Sequence, residues 1–327
     1  MKVLDSLNAG LRRCLASDDR VVLLGEDILD PYGGAFKVTR GLSTDFGDRV
    51  LTTPVSEAGI VGLATGMALR GLRPVVEIMF GDFTTLIVDQ LLNHASKFAA
   101  MYGRDVSVPL VVRTPMGGRR GYGPTHSQTI EKLFMGIPGL RVVAPSALGD
   151  PGALLASAVL QDDGPVLFVE NKVLYNCDVR PAGDGDDDLA CAADGASSAP
   201  AYVVSVRHGQ PATITIAAYG YMAELAREAV LRLAYEFEVF AELIVPTVLA
   251  PHAGGPIATS LRRTGRLLVV EEGTRSMGWG AEVVASALED LGGGLAARRV
   301  ATDDIVLPAA SPVEAAVLPD VDELVKA

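Results

Sequence analysis

The chain has 327 residues, enough for about two domains at roughly 150 residues each, and 49% of them are hydrophobic, so a large core is expected. A formal charge of -12 argues against a nucleic-acid backbone as partner, because phosphate contacts need clustered Lys and Arg. Apolar runs fall short of the ~18 residues of a membrane span, Asp5 interrupts any leader, and the odd, widely spaced Cys14, Cys177 and Cys191 suit a reduced compartment. The expectation is a soluble cytoplasmic protein with no membrane partner.

The chain opens with a helical apolar pattern over Val3 to Leu15, then a strand, Val21 to Leu24, which delivers Gly25, Glu26 and Asp27 to its carboxyl end. Ligands of open alpha/beta sheets bind at that edge, so Glu26 is a candidate contact or an ordinary solvated loop acid. A long Gly-rich loop, DPYGGAFKVTRGL, follows. The next strand ends at Leu51, and Ser56 is placed to cap a helix opened by Glu57. That carboxylate either complements the helix dipole, for about 0.3–1 kcal/mol, or takes part in chemistry. Gly59, Gly62 and Gly66 recur at helical spacing and leave one face nearly bare, so another surface can approach closely.

The run VVEIM predicts a buried strand leading to a long amphipathic helix entered at Asp82 and Phe83, with Phe80 and Phe83 flanking the entry. The strand PLVVRT then empties into PMGGRRGYGPTHSQ, which carries Arg119, Arg120 and His126. His126 is a candidate acid/base or hydrogen-bonding group, or a solvated bystander. The arginines are placed to meet an anionic substrate, a partner's acids or water. LRVVAP, a helix and VLFVE complete a strand–helix alternation that predicts a parallel sheet covered on both faces. The first domain is assigned to residues 1–176, an acidic, Ala/Gly-rich exposed linker to 177–201, and a second, smaller alpha/beta domain to 202–327. The fold class is thus α/β, with two doubly wound sheets.

The segments GEDILDPYGGAFKVTRGL, TTPVSEAGIVGLATGMALRGLRPVVEIMFGDF, the PMGG to HSQ loop, PGLRVVAPS and LLVVEEGTRSMGWGAEVVAS resemble, in that order, the beta subunit of heteromeric thiamine-diphosphate-dependent 2-oxoacid dehydrogenases, relatives of transketolase. The resemblance implies a pyrimidine-binding domain followed by a transketolase-type C-terminal domain. It implies that Glu57 hydrogen-bonds the cofactor's pyrimidine ring nitrogen and shares a proton with it, that Phe83 stacks on the pyrimidine, that His126 faces substrate or lipoyl group, and that Glu26 lies near the cofactor. It also implies a structural potassium ion held by main-chain oxygens near Leu110, Ala158, Val159 and Asp162, in a loop one residue longer than in relatives.

The family holds the diphosphate through Mg2+ at a GDG motif followed by an asparagine. The one GDG here, Gly183-Asp184-Gly185, lies in the linker, and no asparagine follows Asn176. The diphosphate half and its Mg2+ are therefore expected from an alpha subunit, in an assembly of two alpha and two beta chains. The implied activity is decarboxylation of a 2-oxo acid with acyl transfer to a lipoyl acyltransferase or another acceptor. A carboligase subunit and a non-catalytic regulatory subunit are the alternatives. ELIVPTVLAPHAGGP, with His252, departs from the family's pattern and leaves substrate and acceptor open.

Overall fold

The computed structural model describes residues 1–102, 106–183, 188–194, 198–252 and 254–327. In chain order its strands are β1 (Val21–Gly25), β2 (Val50–Thr52), β3 (Arg73–Glu77), β4 (Val111–Met116), β5 (Arg141–Val143), β6 (Val166–Asn171) and β7 (Leu189–Asp194). They continue with β8 (Ala201–Val206), β9 (Ile214–Ala218), β10 (Ala241–Val245), β11 (Val248–Ala250), β12 (Arg266–Thr274) and β13 (Ala296–Thr302).

Two sheets result, in the orders β11-β5-β6-β4-β3-β1-β2 and β13-β12-β9-β10-β8-β7. In the first, β1 to β6 pair in parallel, and β11 from the second half of the chain adds antiparallel to β5. Strands β1, β3 and β4 are buried throughout, as near-continuous Val and Leu runs demand when helices cover both faces. On one face the Val3–Ser17 and Pro151–Gln161 helices contribute Leu7, Leu11, Leu155 and Val159; on the other, the Glu57–Leu69 helix contributes Ile60, Val61 and Ala64. In the second sheet β9, β10, β12 and β13 run parallel, whereas β8 pairs antiparallel with both β10 and β7.

Three local expectations are corrected. Ser56 precedes the Glu57–Leu69 helix without a side-chain cap bond, and the helix begins with Ile60 N donating to Ser56 O at 2.9 Å. The long helix after Asp82 is broken into a 3-10 turn (Gly81–Ile87), a π turn (Gln90–Ala95) and a short α turn (Phe98–Met101). The acidic segment read as an exposed linker contains β7, whose Leu189 and Cys191 are buried in the second core. Asp184 and Gly185 of the GDG sequence lie outside the described residues. All three cysteines are free, and among the described residues no helix is long and apolar enough to cross a membrane.

Candidate active site

Because β1, β2, β3, β4 and β6 run parallel, the segments that leave their carboxyl ends share one edge of the sheet. β1 delivers Glu26, β2 leads through Pro54 to Glu57, β3 leads to Phe80 and Phe83, β4 to the Gly117–Gln128 loop, and β6 to Lys172. The chain passes from β1 outward to β2 and then back to β3, so the strand order reverses between β1 and β3, where doubly wound sheets open a crevice.

Glu26 and Glu57 meet at that crevice. They are 8% and 7% exposed, and the Ser56 backbone N–H donates to Glu26. Glu26 Oε1 has no hydrogen-bond partner among the described residues. Burial, reinforced by the Glu57 charge, raises the Glu26 carboxyl above its ordinary range. A carboxyl group raised in this way keeps its proton to higher pH than an exposed one.

Beside them lies an aromatic ledge. The Phe80 and Phe83 rings are 5.8 Å apart edge to face, and the His126 ring sits 4.7 Å from Phe80 and 5.2 Å from Phe83. Phe83 is half-buried and belongs to the turn that packs against the Glu57–Leu69 helix. Thr125 Oγ1 is 3.0 Å from His126 Nδ1, and Lys172 Nζ donates to His126 O at 2.7 Å. Gln128 reaches back to Asp82 Oδ1 at 2.7 Å. The fully buried Lys172 has its ammonium pushed down to about 8 by desolvation.

The loop is braced by the second domain. Gly118 N and Thr129 Oγ1 donate to Glu272 Oε1 at 2.7 and 3.1 Å, Gly121 N donates to Glu314 Oε2 at 2.9 Å, and Tyr219 Oη donates to Glu131 Oε1 at 2.7 Å. Beneath the ledge, Arg113 of β4 forks onto Glu170 of β6 at 2.8 and 2.6 Å and pairs with Glu77 of β3, while Tyr175 completes the buried group. Sequence reading passed over Arg113, Glu77, Glu170 and Lys172. The available signal was one cation and two acids inside strands otherwise built to be buried.

Three of the four main-chain oxygens expected near potassium each accept a hydrogen bond from the protein. Leu110 O accepts from Val166 N at 2.8 Å, and the buried Arg73 guanidinium donates to both Val159 O and Asp162 O at 2.6 Å. The Asp162 carboxylate pairs with Arg141, and Ala158 is buried in the same helix. A carbonyl oxygen carries two lone pairs, so each of the three accepting carbonyls keeps one beyond its hydrogen bond. His252 lies half-buried beside Trp279 and Met277, in a surface cleft that includes none of the residues of the ledge.

The fold and this edge define the class: residues 1–178 match the family model for the transketolase pyrimidine binding domain, and residues 203–324 that for the transketolase C-terminal domain. A solved split-gene transketolase, described as an inactive beta4 tetramer, superimposes with a TM-score of 0.75 over 100% of this chain and 96% of its own, at 19% identity. That likeness concerns the fold alone. The chain is 38% identical to the pyruvate dehydrogenase E1 component subunit beta of Leifsonia xyli, covering 100% of this chain and 93% of the relative. It is 34% identical to the mitochondrial subunit beta-1 of Arabidopsis thaliana, covering 100% and 88%. The chain belongs to the family of E1 beta subunits of thiamine-diphosphate-dependent 2-oxo acid dehydrogenases.

Proposed function

We propose that this chain forms the pyrimidine half of a shared thiamine-diphosphate site and, with an alpha subunit, decarboxylates a 2-oxo acid and hands the acyl group to a lipoyl acyltransferase or another acceptor. The observation that carries the reading is the burial of Glu26 and Glu57 together at the strand-end crevice, beside the Phe80, Phe83 and His126 ledge. These residues fit an aminopyrimidine: Glu57 would hold its ring nitrogen, Phe83 would carry its face, and the unpartnered Glu26 oxygen would line the same recess. When bound, the cofactor supplies the carbon nucleophile and the electron sink for decarboxylation.

Glu57 would share a proton with the ring nitrogen of the bound cofactor, and Glu26 would line the same recess beside it. His126, held through its carbonyl by Lys172 and at Nδ1 by Thr125, presents its ring to the substrate side as a hydrogen-bond and proton partner. The Mg2+ and diphosphate half belong to the alpha chain. Exposed Leu63, 58% accessible, lies on the bare face of the Glu57–Leu69 helix and exposed Val55, 80% accessible, just before its start, a surface suited to being covered in an assembly of two alpha and two beta chains.

Coexpression with the candidate alpha subunit, followed by calorimetry with thiamine diphosphate and Mg2+, tests the shared site. Binding in the mixed assembly and not by this chain alone is expected. Full binding by this chain alone would remove the proposal.

A further inference from the structure

The two arginines of the loop after β4 have different fates. Arg119 is committed to the second domain: it donates to Pro319 O, its Nε lies 3.6 Å from Glu272 Oε2, and its guanidinium lies 5.5 Å over the Tyr221 ring. On the other side, Gly121 N is tied to Glu314 Oε2 at 2.9 Å. Arg120 stands between these anchors, so its backbone is fixed from both directions. Its side chain is exposed and makes no hydrogen bond or ion pair among the described residues.

That free cation lies beside the outer end of the aromatic row. Its guanidinium lies 5.9 Å from the centre of the Tyr122 ring, Tyr122 is 5.9 Å edge-on to Phe80, and Phe80 is 4.7 Å from His126. Lys172 Nζ lies 5.5 Å from the same Phe80 ring. The acids in the neighbourhood are buried, and each has one oxygen engaged by another donor and one without a hydrogen-bond partner among the described residues: Gln128 holds Asp82, Gly118 holds Glu272, and Gly121 holds Glu314; none is paired with Arg120. In a chain with 40 Asp and Glu against 28 Lys and Arg, an unpaired, positionally fixed arginine at the lip of the site is a place left for an anion from outside.

A 2-oxo acid brings one carboxylate to the reacting carbon, and that group leaves as carbon dioxide. An arginine separated from the histidine by two aromatic rings, Tyr122 and Phe80, is placed to meet a charge at the far end of an extended substrate, and a planar guanidinium matches an oxyanion with two parallel hydrogen bonds. We propose that Arg120 is a specificity residue for a second anionic group, so that the preferred substrate is a 2-oxo acid with an acidic group at its far end, such as a 2-oxo dicarboxylate. This rests on the decarboxylase reading above.

The test uses the complex with its alpha subunit, loaded with thiamine diphosphate and Mg2+. It measures carbon dioxide release, with an artificial oxidant as electron acceptor, from 2-oxo monocarboxylates and 2-oxo dicarboxylates of matched chain length. The wild type is expected to favour the dicarboxylates by about tenfold or more in kcat/KM, a range a lost charged contact can supply. Arg120→Gln raises KM for them by a similar factor while leaving kcat and the monocarboxylates unchanged, and Arg120→Lys recovers part of the loss. A wild-type preference for monocarboxylates, or equal effects of Arg120→Gln on both series, overturns the proposal. So does an effect of Arg120→Gln only on assembly with the alpha chain, which would make Arg120 a subunit contact. Release from neither series by a complex that binds the cofactor would instead overturn the decarboxylase reading itself.

Discussion

The helix that carries Glu57 and the loop that carries His126 are both rich in glycine, but the residue serves opposite ends in them. In the loop, Gly121 has a φ of 67°, and an added Cβ would lie 2.5 Å from Ser311 Oγ of the second domain; an added Cβ at Gly118 would lie 2.7 Å from Leu318. There the missing side chains let the chain fold onto itself, and the loop is finished by its own second domain. In the helix, an added Cβ at Gly66 would meet nothing within 4 Å, and at Gly62 only Gln90 Cγ at 4.0 Å. That bareness is left unused within the chain. One wall of the site is therefore complete in a single chain, and the other is prepared for something else to close.

Three changes strain this contrast. The largest effect is expected at the closed wall, where Glu271 of β12 is fully buried and burial, with the Glu131 charge adding, pushes its carboxyl up to about 7, against opposition first from the Gly280 backbone N–H and then from Arg299 and Lys132. A folded-state value above the unfolded value of 4.5 means the folded chain holds the proton more tightly, so this stabilisation is complete below about 4.5 and is lost as the pH rises through about 7. Chemical denaturation at pH ~5 and ~8 should show a loss on the order of 3 kcal/mol. Glu131, raised in the same direction by burial, adds to the trend. Glu271→Gln should flatten the dependence; an unchanged slope would place the titration elsewhere.

A smaller effect is expected from Gly121→Ala, about 1–2 kcal/mol of lost stability from the left-handed backbone alone, with the approach to Ser311 adding to it. The same substitution at Gly66 should stabilise the chain on its own by about 0.5–1 kcal/mol, while weakening association with the alpha subunit. Thermal unfolding of both variants, followed by a titration with the alpha subunit, checks the pair. Equal destabilisation by both would erase the distinction between the two walls.

The strand–helix alternation was enough to read the parallel sheet, because strands covered on both faces must be apolar almost throughout. The Glu26, Glu57, Phe83 and His126 positions drew notice because each lies shortly after a strand's carboxyl end, in a loop or at a helix entry, while the roles given to them came from the family resemblance and not from their placement. Strand β7 was not legible: an edge strand is held largely by main-chain bonds to β8, and only Leu189 and Cys191 of its side chains are buried. Periodicity marked the segment after Asp82 as helical but could not tell α from 3-10 and π turns, which differ in main-chain partners rather than in which residues face inward. The separate fates of Arg119 and Arg120 were also hidden, since Pro319 and Glu314, to which Arg119 and Gly121 are tied, lie 200 and 193 residues further along the chain.

The central claim is that Glu57 is the acid on which a shared site depends, and its most direct test is decarboxylation by the assembled alpha–beta complex with Glu57→Gln in place of the wild-type chain. Glutamine keeps the shape but cannot share the proton. The account predicts intact assembly, with carbon dioxide release lowered by roughly 10²–10⁴-fold, the range typical for a positioned proton-transfer group. An assembled Glu57→Gln complex that decarboxylates at the wild-type rate would contradict it.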